Sequence, residues 1–204
     1  DCFRSCFSAC HQSTPFHAED RRTGHDAALL IPIDRQMRYA GRRDREREVF
    51  DSWISGCELP VEINISYDWN QRTGTMLLDV EDLKQTKLIK TDAGNLKEKK
   101  KTQAEMRGEY STLVFGLAVF IVSHTFNVSP AIKKILISGY TQRPDKDGNI
   151  KDDYIYSIKF VRDMFEQRDL ARVVPKDFCL SAENKCNMTS TSLFKAIVPF
   201  ESFE

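Results

Sequence analysis

Glycine is sparse in this sequence: nine residues among 204, scattered along the chain. None fall at the spacing of a P-loop or a dinucleotide fingerprint, so the sequence offers no glycine-rich backbone cradle for phosphate. An excess of either charge is also missing, with Lys+Arg and Asp+Glu at 30 each. Without net charge there is no long-range field to draw in DNA or an anionic membrane, and such binding is left to local patches. The opening residues lack the basic segment and apolar run of a secretory signal. The longest apolar run, Leu113 to Val122, is bracketed by Ser111, Thr112, Ser123 and His124. It falls short of the about 20 apolar residues that cross a bilayer, and it reads as a buried core helix. Six cysteines in this length do not make a disulfide scaffold. No Ser or Cys nucleophile with a matching base can be picked out. These absences favour a reducing, cytoplasmic setting with no membrane contact, no cofactor and no catalytic residues.

What is present is a core and a pattern. Hydrophobic residues make up 41% of the chain, enough to fill an interior. Residues 1–28 lack clean periodicity and read as a poorly structured, cysteine-containing tail. Residues 29–56 read as a charged helix that Asp34 can cap. Its apolar marks, Met37, Ala40, Val49, Phe50 and Trp53, flank the almost wholly charged RRDREREV, a solvated, coiled-coil-like helix suited to self-association. Residues 57–204 read as an α+β domain. Val61, Ile63, Ile65 and Tyr67 alternate with polar residues, and Met76, Leu78 and Val80 lie on one face after the turn DWNQRTG, which predicts a β-hairpin.

The stretch LKQTKLIKTDAGNLKEKKKTQ reads as a charged connection. Met106, Tyr110, Leu113, Leu117, Phe120 and His124 then recur at helical steps, predicting a central helix that ends before Pro130. KKILISGYTQ and DDYIYSIKFV, joined by the turn RPDKDGN, predict a second hairpin. VRDMFEQRDLARVV reads as a short helix or loop, and TSLFKAIVPF as a last short strand. The expected architecture is two antiparallel hairpins flanking a buried helix, β-β-α-β-β, with the charged helix in front.

Three stretches, RGEYSTLVFGLAVFIVSHTF, ILISGYTQRPDKDGNIKDDYIYSIKFVRDMF and DLARVVPKDFCL, carry a resemblance. From Leu59 to Phe200 the chain resembles an accessory domain of bacterial proteins that follows a coiled-coil-like helix and precedes an Mrr-type restriction endonuclease domain. Gly139, Tyr140, Ser157, Arg162 and Phe165 fill the places of that pattern, while Val174-Pro175 stands where Asp-Pro is common. The cysteine-rich start is not part of it, and the expected nuclease domain does not follow. The resemblance implies a non-catalytic module for DNA recognition, sensing or assembly in a restriction or defence-type system.

The individual candidate residues each have a simpler role to set beside the functional one. Cys2, Cys6 and Cys10 share one side of a helix if one forms, with His11, His17 and His25 near and Cys179 and Cys186 as a distant second pair. Zinc takes such ligands, but the spacing is long and a tail is the simpler account. Asp79, Glu81, Asp82 and Lys84, with Glu62 or Asp68 a strand earlier, form the acid-rich set that a metal-dependent nuclease needs; a solvated strand end explains them as well. DKDGN has its glycine too early for a calcium loop. The basic residues point to phosphate: Arg42, Arg43, Arg45 and Arg47, with Arg35 and Arg38, on the first helix, and Lys99, Lys100 and Lys101, with Lys97, before the central one. Asp44, Glu46, Glu48 and Glu98 interleave with them, as on a salt-bridged solvated face. The expected ligand of such a recognition or assembly module is DNA or a partner protein. The alternatives are a metal-dependent nuclease using Asp79, Glu81 and Lys84, and a small-ligand sensor with a pocket on the open face of the sheet.

Overall fold

In the computed structural model the described residues are 33–57, 59, 64–69, 71–78, 83–92 and 94–203, with side chains from Arg42 onward. The chain divides into two units, Asp1–Cys57 and Glu58–Glu204. The expectations for residues 1–28, including Cys2, Cys6 and Cys10, and those for Glu62, Asp79, Glu81 and Asp82, lie outside the described residues.

The first unit contains helix α1 (Ile33–Gly56). Its charged face is laced by i,i+4 pairs, Arg42 to Glu46 and Arg47 to Asp51, each at 3.6 Å. Near its end Phe50 is buried and meets Trp53 at 5.7 Å between ring centroids.

The second unit is built on a six-stranded sheet in the order β1-β2-β5-β6-β7-β8. The strands are β1 (Asn64–Asp68), β2 (Thr73–Leu77), β5 (Lys134–Pro144), β6 (Ile150–Val161), β7 (Glu183–Met188) and β8 (Phe194–Lys195). Helix α2 (Gln103–Val128) spans the gap between β2 and β5. The short helices α3 (Arg162–Glu166) and α4 (Pro175–Ser181) follow β6.

The α+β class holds, but the expected layout needs correction. β2 runs parallel to β5, with Gly74 opposite Ile137 and Met76 opposite Gly139. The two hairpins therefore merge into one mixed sheet instead of flanking the helix. Parallel neighbours need a long crossover, and α2 lies within it. β7, with its polar sequence ENKCNM, joins the sheet beside β6, where the sequence pattern predicts no strand. The charged connection is also corrected. It folds into a second, two-stranded sheet of β3 (Thr86–Lys90) and β4 (Leu96–Lys100).

Helix α2 is buried on nearly every side from Ser111 to Phe126, not along one stripe. Its whole length is long and apolar enough to cross a membrane, yet 72% of its most apolar window is buried inside the fold, as befits a core helix. On the α2 side of the sheet, Tyr156 meets Phe115, and Phe160 and Phe178 stack at 6.0 Å with Phe165 edge-on to both. The opposite sheet face carries Ser138 and Ser157, hydrogen-bonded to each other at 2.8 Å. Segment 196–203 crosses this face: the Phe200 amide donates to Ser157 Oγ, and Lys159 Nζ lies 4.5 Å from the Phe200 ring centroid.

Candidate nucleic-acid interface

The stretch from Lys84 to Lys101 holds seven lysines and two acids, Asp92 and Glu98. Its turn, TDAGN, closes through Thr91 N–H to Asn95 O and Gly94 N–H to Thr91 O, both 2.8 Å. Gly94 sits at φ +82°, a left-handed conformation that glycine adopts without strain. Side chains alternate across a two-stranded ribbon, and the register pairs Thr86 with Lys100, Leu88 with Glu98 and Lys90 with Leu96. One face therefore carries these six residues, and the other carries Lys87, Ile89, Lys97 and Lys99. The Thr86 hydroxyl donates to Glu98 Oε1 at 2.5 Å along a diagonal of the first face, which occupies the one carboxylate in the two strands.

A lone two-stranded ribbon is marginally stable in water, and this one is bolted at its base to the start of α2. The Lys101 amide donates to Gln85 O at 2.8 Å. Lys87 Nζ donates to Glu105 Oε1, and Lys101 Nζ to Glu109 Oε2 at 2.5 Å. Glu105 also closes a capping box: its Oε2 accepts from the Thr102 amide at 2.8 Å while Thr102 Oγ1 accepts from the Glu105 amide at 3.3 Å. The Lys87 hydrogen bond, reinforced by the Thr102 amide, lowers the Glu105 pKa to about 2. A carboxyl depressed on folding stabilises the native state above its unfolded pKa of about 4.3, and that contribution is lost as pH falls toward 2. The difference in melting temperature between wild type and Glu105→Gln should accordingly be present at pH 7 and vanish near pH 2, as a pH series of thermal scans would read. A difference that persists unchanged at pH 2 would assign the effect to something other than the ionised carboxylate.

The residues expected to meet phosphate divide accordingly. Lys99 and Lys100 are exposed, on opposite faces of β4. Lys101 differs in its setting: its side chain is 11% exposed and tied to Glu109, so it anchors the ribbon. Arg42, Arg43, Arg45 and Arg47 are exposed on α1, with Arg42 and Arg47 in ion pairs. They belong to the first unit, whereas the lysines belong to the second. Sequence reasoning overlooks Lys87 and Lys90, and Leu88 and Leu96, which are 69% and 71% exposed. The Asp-Ala-Gly-Asn turn between two short alternating runs is the signal that could have found them.

The residues that carry the resemblance serve the interior. Gly139 faces Tyr156 across β5 and β6. Ser157 bridges Ser138 and the Phe200 amide. Arg162, 9% exposed, caps the end of α2 by donating from Nη2 to the carbonyls of Ser129 (2.6 Å) and Phe126 (2.7 Å) and from Nε to Ile132 O (2.8 Å). Phe165 packs on Phe126 at 5.2 Å. Tyr140 pairs with Tyr154 at 5.6 Å beside a break in register.

Other candidates are accounted for by structure. Asp145 Oδ1 accepts from the amides of Asp147 and Asn149, both at 2.8 Å, so a turn explains DKDGN. Burial pushes the Cys179 thiol well up and lowers His124 to about 4, leaving a neutral imidazole at pH 7. Among the described residues, no three His, Cys, Asp or Glu side chains gather as a metal site. Two lysines of the six-stranded sheet are engaged, Lys159 with Glu183 at 3.0 Å and Lys185 with Pro199 O at 3.2 Å. Comparison with family models, with curated proteins and with solved structures finds no match for this chain.

Proposed function

We propose that the chain is a non-catalytic recognition module whose β3–β4 ribbon binds duplex DNA. One observation carries this reading. Lys90, Lys97, Lys99 and Lys100 stand exposed on a ribbon whose strand carboxylate, Glu98, is already hydrogen-bonded. Ammonium groups on an exposed ribbon neutralise phosphates and release counterions. Elsewhere in the second unit Lys101, Lys151 and Lys159 lie against carboxylates, and Lys134 and Lys185 against aromatic rings. The likeness to the domain preceding Mrr-type nucleases favours a role in a restriction or defence-type system, within a reducing cytoplasm. In that setting α1 would serve self-association.

The test is anisotropy of a labelled duplex across a salt series, with and without magnesium. Wild type should bind with an affinity that falls steeply as salt rises. Lys90→Gln and Lys100→Gln together should reduce the log–log salt slope by about 1.8, roughly 0.9 for each phosphate no longer neutralised. No binding at low salt would overturn the reading. Magnesium-dependent cleavage, abolished in Asp79→Ala, would replace it with a metal-dependent nuclease.

A further inference from the structure

The ribbon's two faces differ, and the difference bears on how a duplex would be read. The Lys87 face meets the body of the domain along β3, where Lys87 pairs with Glu105 of α2 and Ile89 is partly covered, while Lys97 and Lys99 on β4 stay exposed. The other face is open. On it Leu88 and Leu96 are diagonal neighbours, since Leu88 lies opposite Glu98 and Leu96 opposite Lys90. Both leucines are more than two-thirds exposed, although the second unit has a well-filled core elsewhere. Lys90 and Lys100 flank them on the same face. Folding alone does not require two exposed leucines there; they share the face with Lys90, Lys100 and one carboxylate, Glu98, which accepts from the Thr86 hydroxyl, and the leucines with their flanking lysines suit a surface with apolar features between anionic margins.

The major groove of DNA has that character. It is about 12 Å wide, admits a two-stranded β-ribbon, and displays the thymine C5-methyl as an apolar feature between phosphate walls. The ribbon's strands are about 4.8 Å apart and each spans about 17 Å, which fits that width with side chains attached. Resting on the DNA-binding reading above, we infer that the Leu88–Leu96 face enters the major groove and contacts thymine methyl groups, with Lys90 and Lys100 reaching the flanking phosphates or base edges. The chemical class recognised is thymine-containing duplex DNA, and the specificity is for the methyl group.

The experiment compares two duplexes of one sequence, one with thymine and one with deoxyuracil, which lacks only the methyl. Wild type should prefer the thymine duplex by about fourfold for each methyl buried against a leucine. Leu88→Ser with Leu96→Ser should abolish the preference and leave the salt slope unchanged. Both positions are exposed, so the variant should keep the wild-type circular dichroism and melting temperature. Equal affinity of wild type for the two duplexes, or a preference that survives the double substitution, overturns the inference while leaving DNA binding intact. Absence of binding to either duplex overturns both the inference and the reading on which it rests.

Discussion

Gly139→Ala should destabilise the protein by about 3 kcal/mol, the upper range for overpacking a filled core. A Cβ built at Gly139 would lie 2.6 Å from Tyr156 Cζ and 2.7 Å from Leu78 Cδ1, and closer still to Tyr156 Cε1. Real carbon atoms do not approach so near, so something must move. Leu78 is fully buried, but its methyl ends a rotatable side chain. The Tyr156 ring cannot easily turn aside: it is fully buried too, sits opposite Gly139 in the register, and packs on Phe115 of the core helix. Urea unfolding reads the cost as a lower midpoint at unchanged m-value. A double-mutant cycle identifies the cause. In a Tyr156→Leu background the same glycine substitution should cost less than about 1 kcal/mol, because the obstructing ring is gone. An equal cost in both backgrounds would mean that backbone conformation, not the ring, demands glycine.

Arg162→Ala should cost about 3–4 kcal/mol for a different reason. The guanidinium serves three carbonyls, of Phe126, Ser129 and Ile132. Those of Phe126 and Ser129 belong to the last turn and cap of α2, where a helix leaves acceptors without intrahelical partners. Removing the donor strands them in a site that Phe126 and Phe165 help to seal. The positive charge also suits the negative end of the helix. Arg162→Lys distinguishes charge from geometry: a compact ammonium keeps the charge but cannot reproduce the planar fork, so it should recover less than half of the loss in urea unfolding. Full recovery by lysine would reduce the role of Arg162 to its charge.

These two residues also show how much the sequence discloses. Gly139 and Arg162 stand out there as parts of a pattern, which suggests importance without saying of what kind. Only the register that sets Tyr156 over Gly139, and the chain path that brings Arg162 to the end of α2, make their roles plain. The ribbon is the reverse case. Its lysines are visible as charge, and Lys99 and Lys100 stand out as candidates to meet phosphate, but their surroundings read as a connection. The alternation of TKLIK and LKEKK is masked because lysine occupies both faces of the ribbon.

The sequence by itself determined the elements whose burial shows at the period of the backbone. Alternation in INISY and the short apolar runs of KILIS and IYSIKF mark strands, and helical spacing from Met106 to His124 marks α2. It also set the neutral overall charge and the lysine run. Tertiary structure alone decided that β2 lies parallel to β5, that polar β7 joins the sheet beside β6, that Lys101 is an anchor while Lys99 and Lys100 face solvent, and that Leu88 and Leu96 stand exposed together. Those outcomes depend on pairing between residues far apart in the chain. Local propensity holds no record of such pairing, because the free energy that chooses a partner comes from burying both surfaces at once.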